Sequence, residues 1–237
     1  MSVSIVMPCY NEAEIIESVV SDYYNEIISK IDDSEFLVVD DHSTDASYDI
    51  LRRLESQFAK LKVLRTDKNS GHGKAVRLGY ESAAKNWIFG MDSDNQFDVK
   101  DFWKLYNLKD NFDFMLGVRR FRRDPWLRLL ITKSLCFVNL VFFGVWIKDP
   151  NCPFRLINKE LLKNLLDRID KQALAPNIMI SILARLKNKK IAQVEVTHFK
   201  RKTGGSSLGQ WKLFNFALRS FSQLIFLKIS KKVGQYE

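Results

Sequence analysis

Trp87-Ile88-Phe89-Gly90-Met91 runs straight into Asp92-Ser93-Asp94-Asn95-Gln96, an apolar run of strand length that ends in a cluster of acids and amides. The same construction occurs twice upstream. Ser4-Ile5-Val6-Met7 ends at Pro8 and is followed by the polar stretch to Glu12, and Phe36-Leu37-Val38-Val39 stops at Asp40-Asp41. Between these runs the apolar period changes to that of a helix. Ile15, Ile16, Val19, Val20, Tyr23, Tyr24, Ile27 and Ile28 mark one face, with Asn11 placed as its cap and Glu12 and Glu14 in the first turn. Ser43 or Thr44 is placed to cap a second helix carrying Ile50, Leu51, Leu54 and Phe58. A third strand is expected at 61–64, and Gly71-His72-Gly73 opens a helix through Ala84.

Strand alternating with helix four times predicts βαβ crossovers and a parallel sheet covered on both faces. Ligands of such sheets bind outside the carboxyl ends of the strands. All three polar clusters follow strands, so they are expected at one edge, where they make a site. Past residue 117 the alternation fades. A basic stretch at 121–124 precedes an apolar, helical pattern over 126–147. A helix at about 177–186, a strand at 191–196, a basic stretch at 200–202 and a long helix at about 208–229 complete the chain. No Pro/Gly/Ser-rich linker separates these parts. The chain therefore reads as one catalytic domain over 1–210 with an amphipathic helix in 211–237, facing core, membrane or partner.

Asp92, Asp94 and Gln96 are spaced two apart, so in an extended backbone their side chains point the same way. Two carboxylates and an amide oxygen form a hard-oxygen site suited to Mg²⁺ or Mn²⁺. Such ions take few protein ligands and complete their shell with substrate phosphates.

These blocks carry a resemblance. Ser4-Ile5-Val6-Met7-Pro8-Cys9-Tyr10-Asn11-Glu12 and Val38-Val39-Asp40-Asp41-His42-Ser43-Thr44-Asp45 resemble the opening signatures of family-2 glycosyltransferases with the GT-A fold. Asn69-Ser70-Gly71-His72-Gly73-Lys74-Ala75 resembles their third block, and Met91 to Phe97 their metal motif. Four later features are similar to the dolichol-phosphate mannosyltransferase-like branch, which loads a sugar onto a polyprenyl phosphate. They are Gly117-Val118-Arg119, Arg128 with Thr132, Asp149-Pro150-Asn151-Cys152-Pro153-Phe154-Arg155, and His198-Phe199-Lys200-Arg201 followed by Gly205-Ser206.

The resemblance covers about residues 3–210 and implies an α/β, Rossmann-like, mostly parallel sheet flanked by helices. It further implies a metal-dependent inverting enzyme taking a GDP- or UDP-sugar as donor and a polyprenyl phosphate as acceptor. Pro8, Tyr10, Glu12 and Asp41 would hold the nucleoside, with Val39 and Lys74 among the donor contacts. Asp92 and Ser93 would line the sugar-nucleotide, and Asp94 and Gln96 would hold the metal. Arg119 would face the phosphates of donor or acceptor, and Asp92, Asp94 and Arg119 form the catalytic set. Arg128 and Thr132 would grip the lipid phosphate, and Arg201 would close over the diphosphate. Guanidinium forks match phosphate oxygens geometrically, which gives arginine a physical rationale at these places. His42, Pro153 and Asn177 stand where the family commonly carries Gly, Gly and Glu. The runner-up is a family-2 enzyme extending a glycan by attack of a sugar hydroxyl, with Asp149 as the base to test.

Of 237 residues, 46% are hydrophobic, and the formal net charge is +9. Such charge calls for an anionic partner. Nucleic acid would use it, but leaves the carboxylate clusters unexplained. Arg119, Arg120, Arg122, Arg123 and Arg128 beside Trp126 and an apolar run point instead to an anionic membrane surface. A membrane-anchoring partner subunit is a further possibility for the final helix. His72 and His198 lack partners at zinc-ligand spacing. Three cysteines form no even framework and read as reduced thiols. With no signal peptide and no apolar run of about 20 residues, the chain is expected at the cytosolic face of a membrane, peripherally.

Overall fold

A computed structural model describes residues 2–120, 140, 141, 143–200 and the helical positions 219, 220, 222, 223, 225 and 226. Arg128, Thr132 and Arg201 lie outside the described residues. So do Cys136 and most of the expected helices at 126–147 and 208–229.

The elements run β1 (Val3–Cys9), α1 (Ile16–Glu26), β2 (Ser34–Asp40), α2 (Ser47–Gln57), β3 (Leu61–Arg65), α3 (His72–Ser82), β4 (Trp87–Gly90), α4 (Phe102–Tyr106), β5 (Phe114–Arg120), β6 (Arg155–Asn158), α5 (Lys159–Leu166), α6 (Pro176–Leu186) and β7 (Ile191–Thr197). They form one seven-stranded sheet in the order β3-β2-β1-β4-β6-β5-β7. The first four strands are parallel to one another, as their buried apolar runs predict. Beyond β4 the sheet is mixed, within the mostly parallel architecture expected. β6 lies antiparallel to both β4 and β5, and β5 pairs parallel with β7.

β5, β6, α4 and α5 carried weak sequence signals. β6 is short and opens with Arg155, a residue that ordinarily stays at the surface. The helix α5 is amphipathic, with Leu161, Leu162, Leu165 and Leu166 buried, and Asn158 caps it by accepting from Glu160 N and Leu161 N. Asn158 followed by that leucine pattern was the available cue.

Caps at the site edge differ from expectation. The first helix begins at Ile16, with Ile15 as its cap residue. Asn11 instead takes a left-handed φ of 54°. Its Oδ1 accepts from Thr44 N at 2.8 Å, and its own N donates to Ser43 Oγ at 3.0 Å. Ser43 and Thr44 are thus spent on β1's turn rather than on capping α2, where Asp45 Oδ1 accepts from Ser47 N at 2.9 Å. Asn and Ser bond to whichever backbone is nearest, and here a neighbouring turn outcompetes the local helix. The apolar helix expected to reach Ile147 also stops early, at Gly144, whose φ of 65° suits a glycine C-terminus. Gly144 N donates back to Leu140 O at 2.9 Å.

The core lies on both faces of the sheet. On one side α3 sits close on β1 and β2: a methyl group at Gly79 would meet Val6 Cγ1 at 2.3 Å. The predicted face of α1 is buried at Ile16, Val19, Val20 and Tyr23, followed by Ile27 and Ile28. No helix among the described residues is long and apolar enough to cross a membrane. Cys9 and Cys152 are free and buried.

Asp45 ties the first two turns together, since its Oδ2 also accepts from Ala13 N at 3.1 Å. Partial burial pushes its carboxyl up, but the bonds from Ser47 and Ala13 outweigh that and hold it below the ordinary aspartate value. Asp45→Ala should therefore cost about 1 kcal/mol, the usual net worth of such hydrogen bonds at an exposed side chain. The wild-type advantage should be complete above the ordinary pKa of about 3.9 and vanish as pH falls through the lower folded value. Urea unfolding of both proteins at neutral and acidic pH measures it.

Candidate active site

Three strand ends meet at the carboxyl edge. Buried Pro8 lies within the end of β1, and the chain then passes through exposed Tyr10 to the half-buried Glu12. Asp40, the last residue of β2, pairs with Arg65 at 3.1 Å, while Asp41 turns its carboxylate under the start of α3. Ser70 N donates to Asp41 Oδ1 at 2.8 Å, and Gly71 N donates to Oδ2 at 2.7 Å. Thr66 Oγ1 adds a bond of 3.0 Å to Oδ1. Asp41 is buried, so these three bonds carry its carboxylate in place of water. His42 adopts a left-handed φ of 60°, the conformation for which the family's glycine is suited, and its Nδ1 lies 3.1 Å from Thr66 O. Val39 is fully buried, and its side chain belongs to the core beneath Gly79. Lys74 is half-buried in the first turn of α3.

After β4 the acidic run does not remain extended. Asn95 takes a left-handed φ of 54°, so 92–96 is a turn, and strand alternation is not what orients its side chains. The turn is fastened from two sides. Gln96 N donates to Asp94 Oδ1 at 3.3 Å, Gln96 Nε2 donates to Phe199 O at 3.0 Å, and Phe199 N donates to Gln96 O at 2.7 Å. The Asp94 carboxylate and the Gln96 side chain are thereby both fixed within the turn. Ser93 is buried. Asp92 Oδ1 is also buried, with no hydrogen-bond partner, and His72 Nε2 lies 3.8 Å away. A buried acceptor without a donor is costly unless a ligand or ion completes it.

Asp92 forms one wall of a cavity of about 100 Å³. His72, Arg119, Asn151, Pro153 and residues 174–177 form the rest. Arg119 is fixed by Asp149 through a two-pronged contact, Nε to Oδ2 at 2.7 Å and Nη2 to Oδ1 at 2.8 Å. Asn177 accepts from Tyr80 Oη at 3.2 Å. Burial, with Asp92 adding to it and Arg155 opposing it, pushes the Tyr80 phenol up to about 12, so it remains a donor at neutral pH.

Arg155 is the buried centre of the loop behind this cavity. Its guanidinium donates to Cys152 O, to Pro150 O at 3.2 Å and to Asn177 O at 2.9 Å, and reaches Ser181 Oγ at 3.4 Å. It is fully enclosed and satisfied by carbonyls, so it shapes the site without facing a phosphate. Beside it, burial first and Asp149 second push the Cys152 thiol up to about 12, which makes it an inert core group.

The donor set fits a hard divalent ion. Asp94 and Gln96 carry oxygen donors in one turn, and the unpartnered Asp92 Oδ1 adds local negative potential. Among the described residues no group of three or more His, Cys, Asp or Glu could hold a metal, so such an ion would need oxygens from a substrate.

A four-stranded parallel half with acidic turns at its carboxyl edge, continued by an antiparallel β6, is the arrangement of the GT-A fold. The sequence profile of glycosyl transferase family 2 matches residues 4–176, and the chain belongs to that family of glycosyltransferases. It is 29% identical over 230 residues to a dolichol-phosphate mannosyltransferase of Pyrococcus furiosus, a match spanning 91% of this chain and 62% of that protein. It is 24% identical over 241 residues to a dodecaprenyl-phosphate galacturonate synthase of Rhizobium johnstonii, spanning 100% of this chain and 70% of that one. The chain thus spans roughly two thirds of the length of these relatives. In fold it resembles glucosyl-3-phosphoglycerate synthase from Mycobacterium tuberculosis, crystallised with Mn²⁺, UDP and phosphoglyceric acid. The TM-score is 0.70 at 18% identity, over 96% of this chain and 78% of the other.

Replacing Arg155 by Met keeps most of the volume but orphans several buried carbonyls, each worth about 1–3 kcal/mol. Arg155→Met should lower stability by about 3 kcal/mol or more on that basis. An unchanged urea midpoint would show that the clamp contributes nothing.

Proposed function

We propose that the chain transfers a sugar from a nucleoside-diphosphate donor to a polyprenyl phosphate, at the cavity between Asp92 and Arg119. The single observation that carries this reading is the opposition of signs across that cavity. An acidic turn with an unsatisfied Asp92 oxygen stands on one side, and an arginine locked in position stands on the other.

Pro8, Tyr10, Glu12, Asp41 and Lys74 would hold the nucleotide, and Asp92 with Ser93 the sugar. Asp94 and Gln96 would hold Mg²⁺ or Mn²⁺, which when bound supplies Lewis-acid neutralisation of the departing diphosphate. Arg119 binds phosphate. Its partner Asp149 orients the guanidinium and reduces its conformational freedom before substrate arrives. Arg128, Thr132 and Arg201 are proposed to complete phosphate binding.

The acceptor needs no base, because a phosphate monoester has a second pKa of about 6 and is already a dianion in large part at neutral pH. In-line attack on the anomeric carbon then gives inversion. A sugar-hydroxyl acceptor would need a carboxylate base. Asp149 is only 2% exposed and holds Arg119 with both oxygens, which favours the phosphate acceptor. The relatives named for polyprenyl-phosphate products support the same class. Leu140, Val141 and Trp146 are 42%, 60% and 55% exposed, an apolar surface suited to a lipid interface. A peripheral place on the cytosolic, anionic face of a membrane follows from this reading, with or without an anchoring subunit.

The test is a panel of GDP- and UDP-sugars with Mn²⁺ or Mg²⁺, with and without polyprenyl phosphate, scored for organic-soluble sugar. Asp94→Ala should lower kcat at least about a hundredfold, the loss typical when one preorganised electrostatic group is removed. Near-normal turnover by that variant would defeat the metal assignment. Product that stays in the aqueous phase would defeat the lipid acceptor.

A further inference from the structure

The cavity wall at 174–177 is held by a residue far away in sequence. Gln223 lies on the helical turns near the C-terminus, and its side-chain amide makes two bonds to one backbone stretch. Leu174 N donates to Gln223 Oε1 at 3.0 Å, and Gln223 Nε2 donates to Gln172 O at 3.2 Å. An amide group pairs in this way only with its oxygen toward the N–H and its nitrogen toward the carbonyl, so its orientation is fixed by its partners. The same stretch is pressed from the other side by the first turn of α3. A methyl group at Gly73 would come within 2.4 Å of Ala173 O and 2.7 Å of Leu174 O. The 172–174 backbone is therefore held between the turn that carries His72 and the helix that carries Gln223. Leu174, Ala175, Pro176 and Asn177 then continue directly into the cavity facing Asp92 and Arg119.

Ser220 is buried and Gln223 half-buried, three residues apart and so on one face, whereas Arg219, Ser222 and Phe226 are exposed. Gln223 meets the wall through two hydrogen bonds, whose geometry is specific.

The geometry points to Gln223 as a positioning residue for sugar transfer. It fixes the Gln172–Leu174 backbone, and through it the wall opposite Asp92, so the shape of the reaction cavity depends on where the C-terminal helix sits. This inference rests on the reading of that cavity as the transfer site.

The experiment combines amide hydrogen exchange on the full chain, without substrate, with steady-state kinetics on the donor and polyprenyl phosphate that the wild type accepts. Gln223→Leu removes both bonds, and Gln223→Glu keeps the acceptor for Leu174 N while losing the donor to Gln172 O. In Gln223→Leu, exchange at Leu174 and its neighbours should rise about tenfold, the loss of roughly one hydrogen bond, with β1 and β2 unchanged. Its kcat should fall several-fold at nearly constant donor KM, and Gln223→Glu should recover much of both. A merely structural residue would loosen the whole molecule and leave kcat per folded enzyme intact. The proposal is overturned by unchanged exchange at Leu174, by uniformly faster exchange, or by normal kcat despite a loosened wall. If the wild type transfers no sugar at all, the functional reading fails and the positioning role with it. Leu174 exchange in that case still tells whether Gln223 holds the wall.

Discussion

Asp41 is the group around which the site edge is built. Its carboxylate accepts the N–H groups of Ser70 and Gly71, the two residues immediately before α3, of which Gly71 is the cap residue. Negative charge at that position is favoured by the dipole of α3 as well as by the two short bonds. Hydrogen bonds to a charged group contribute about 1.5–3 kcal/mol each, enough to fix where α3 begins. That start in turn fixes His72 at the cavity and Gly73 against Ala173 and Leu174. One buried acid just after β2 thus sets the distance between the carboxyl edge of the sheet and the far cavity wall.

Two arginines in the second half of the chain show how enclosure separates structure from chemistry. Arg155 spends its donors on carbonyls, and burial alone lowers the affinity of the guanidinium for its proton. It holds the 150–152 loop against α6, which places Asn151 and Pro153 in the cavity wall. Arg119 is held by a carboxylate along one edge of its fork and lines the cavity. Asp149 therefore sets the aim of Arg119 at the cavity wall.

The first four strands were legible because each is an apolar run closed by a polar turn, and a parallel sheet buried on both faces needs that pattern. The antiparallel half was not, since β6 begins with an arginine whose burial depends on carbonyls contributed by 150, 152 and 177. No local window contains those partners. Asn11 was misread as a cap for a related reason. Its side chain is equally suited to a helix start and to the Thr44 N–H, and only the sheet register that places β1 beside β2 decides between them. At the site, the acidic turn announced its chemistry through residue type, but its shape came from Asn95 and from the distant Phe199. Gln223 left no signal, because a lone glutamine in an amphipathic pattern has no local feature that names its partner.

The left-handed residues connect these points. Among the described residues, four that are not glycine have a positive φ: Asn11, His42, Asn95 and Asn188. The first three follow β1, β2 and β4, the three strands whose polar turns make the site. Asn and His tolerate this region better than most residues, yet each still holds a conformation less favourable than an ordinary turn requires. Such strain persists only where surrounding bonds over-determine it. Here those bonds are Asn11 with Thr44, His42 with Thr66, and the Gln96–Phe199 pair beside Asn95. A chain that merely had to reverse after each strand could do so without them. Turning the backbone left-handed immediately after the sheet ends keeps the acidic side chains at its edge instead of letting them swing into solvent. The local cost is therefore best explained by a site that must be assembled before its ligands arrive.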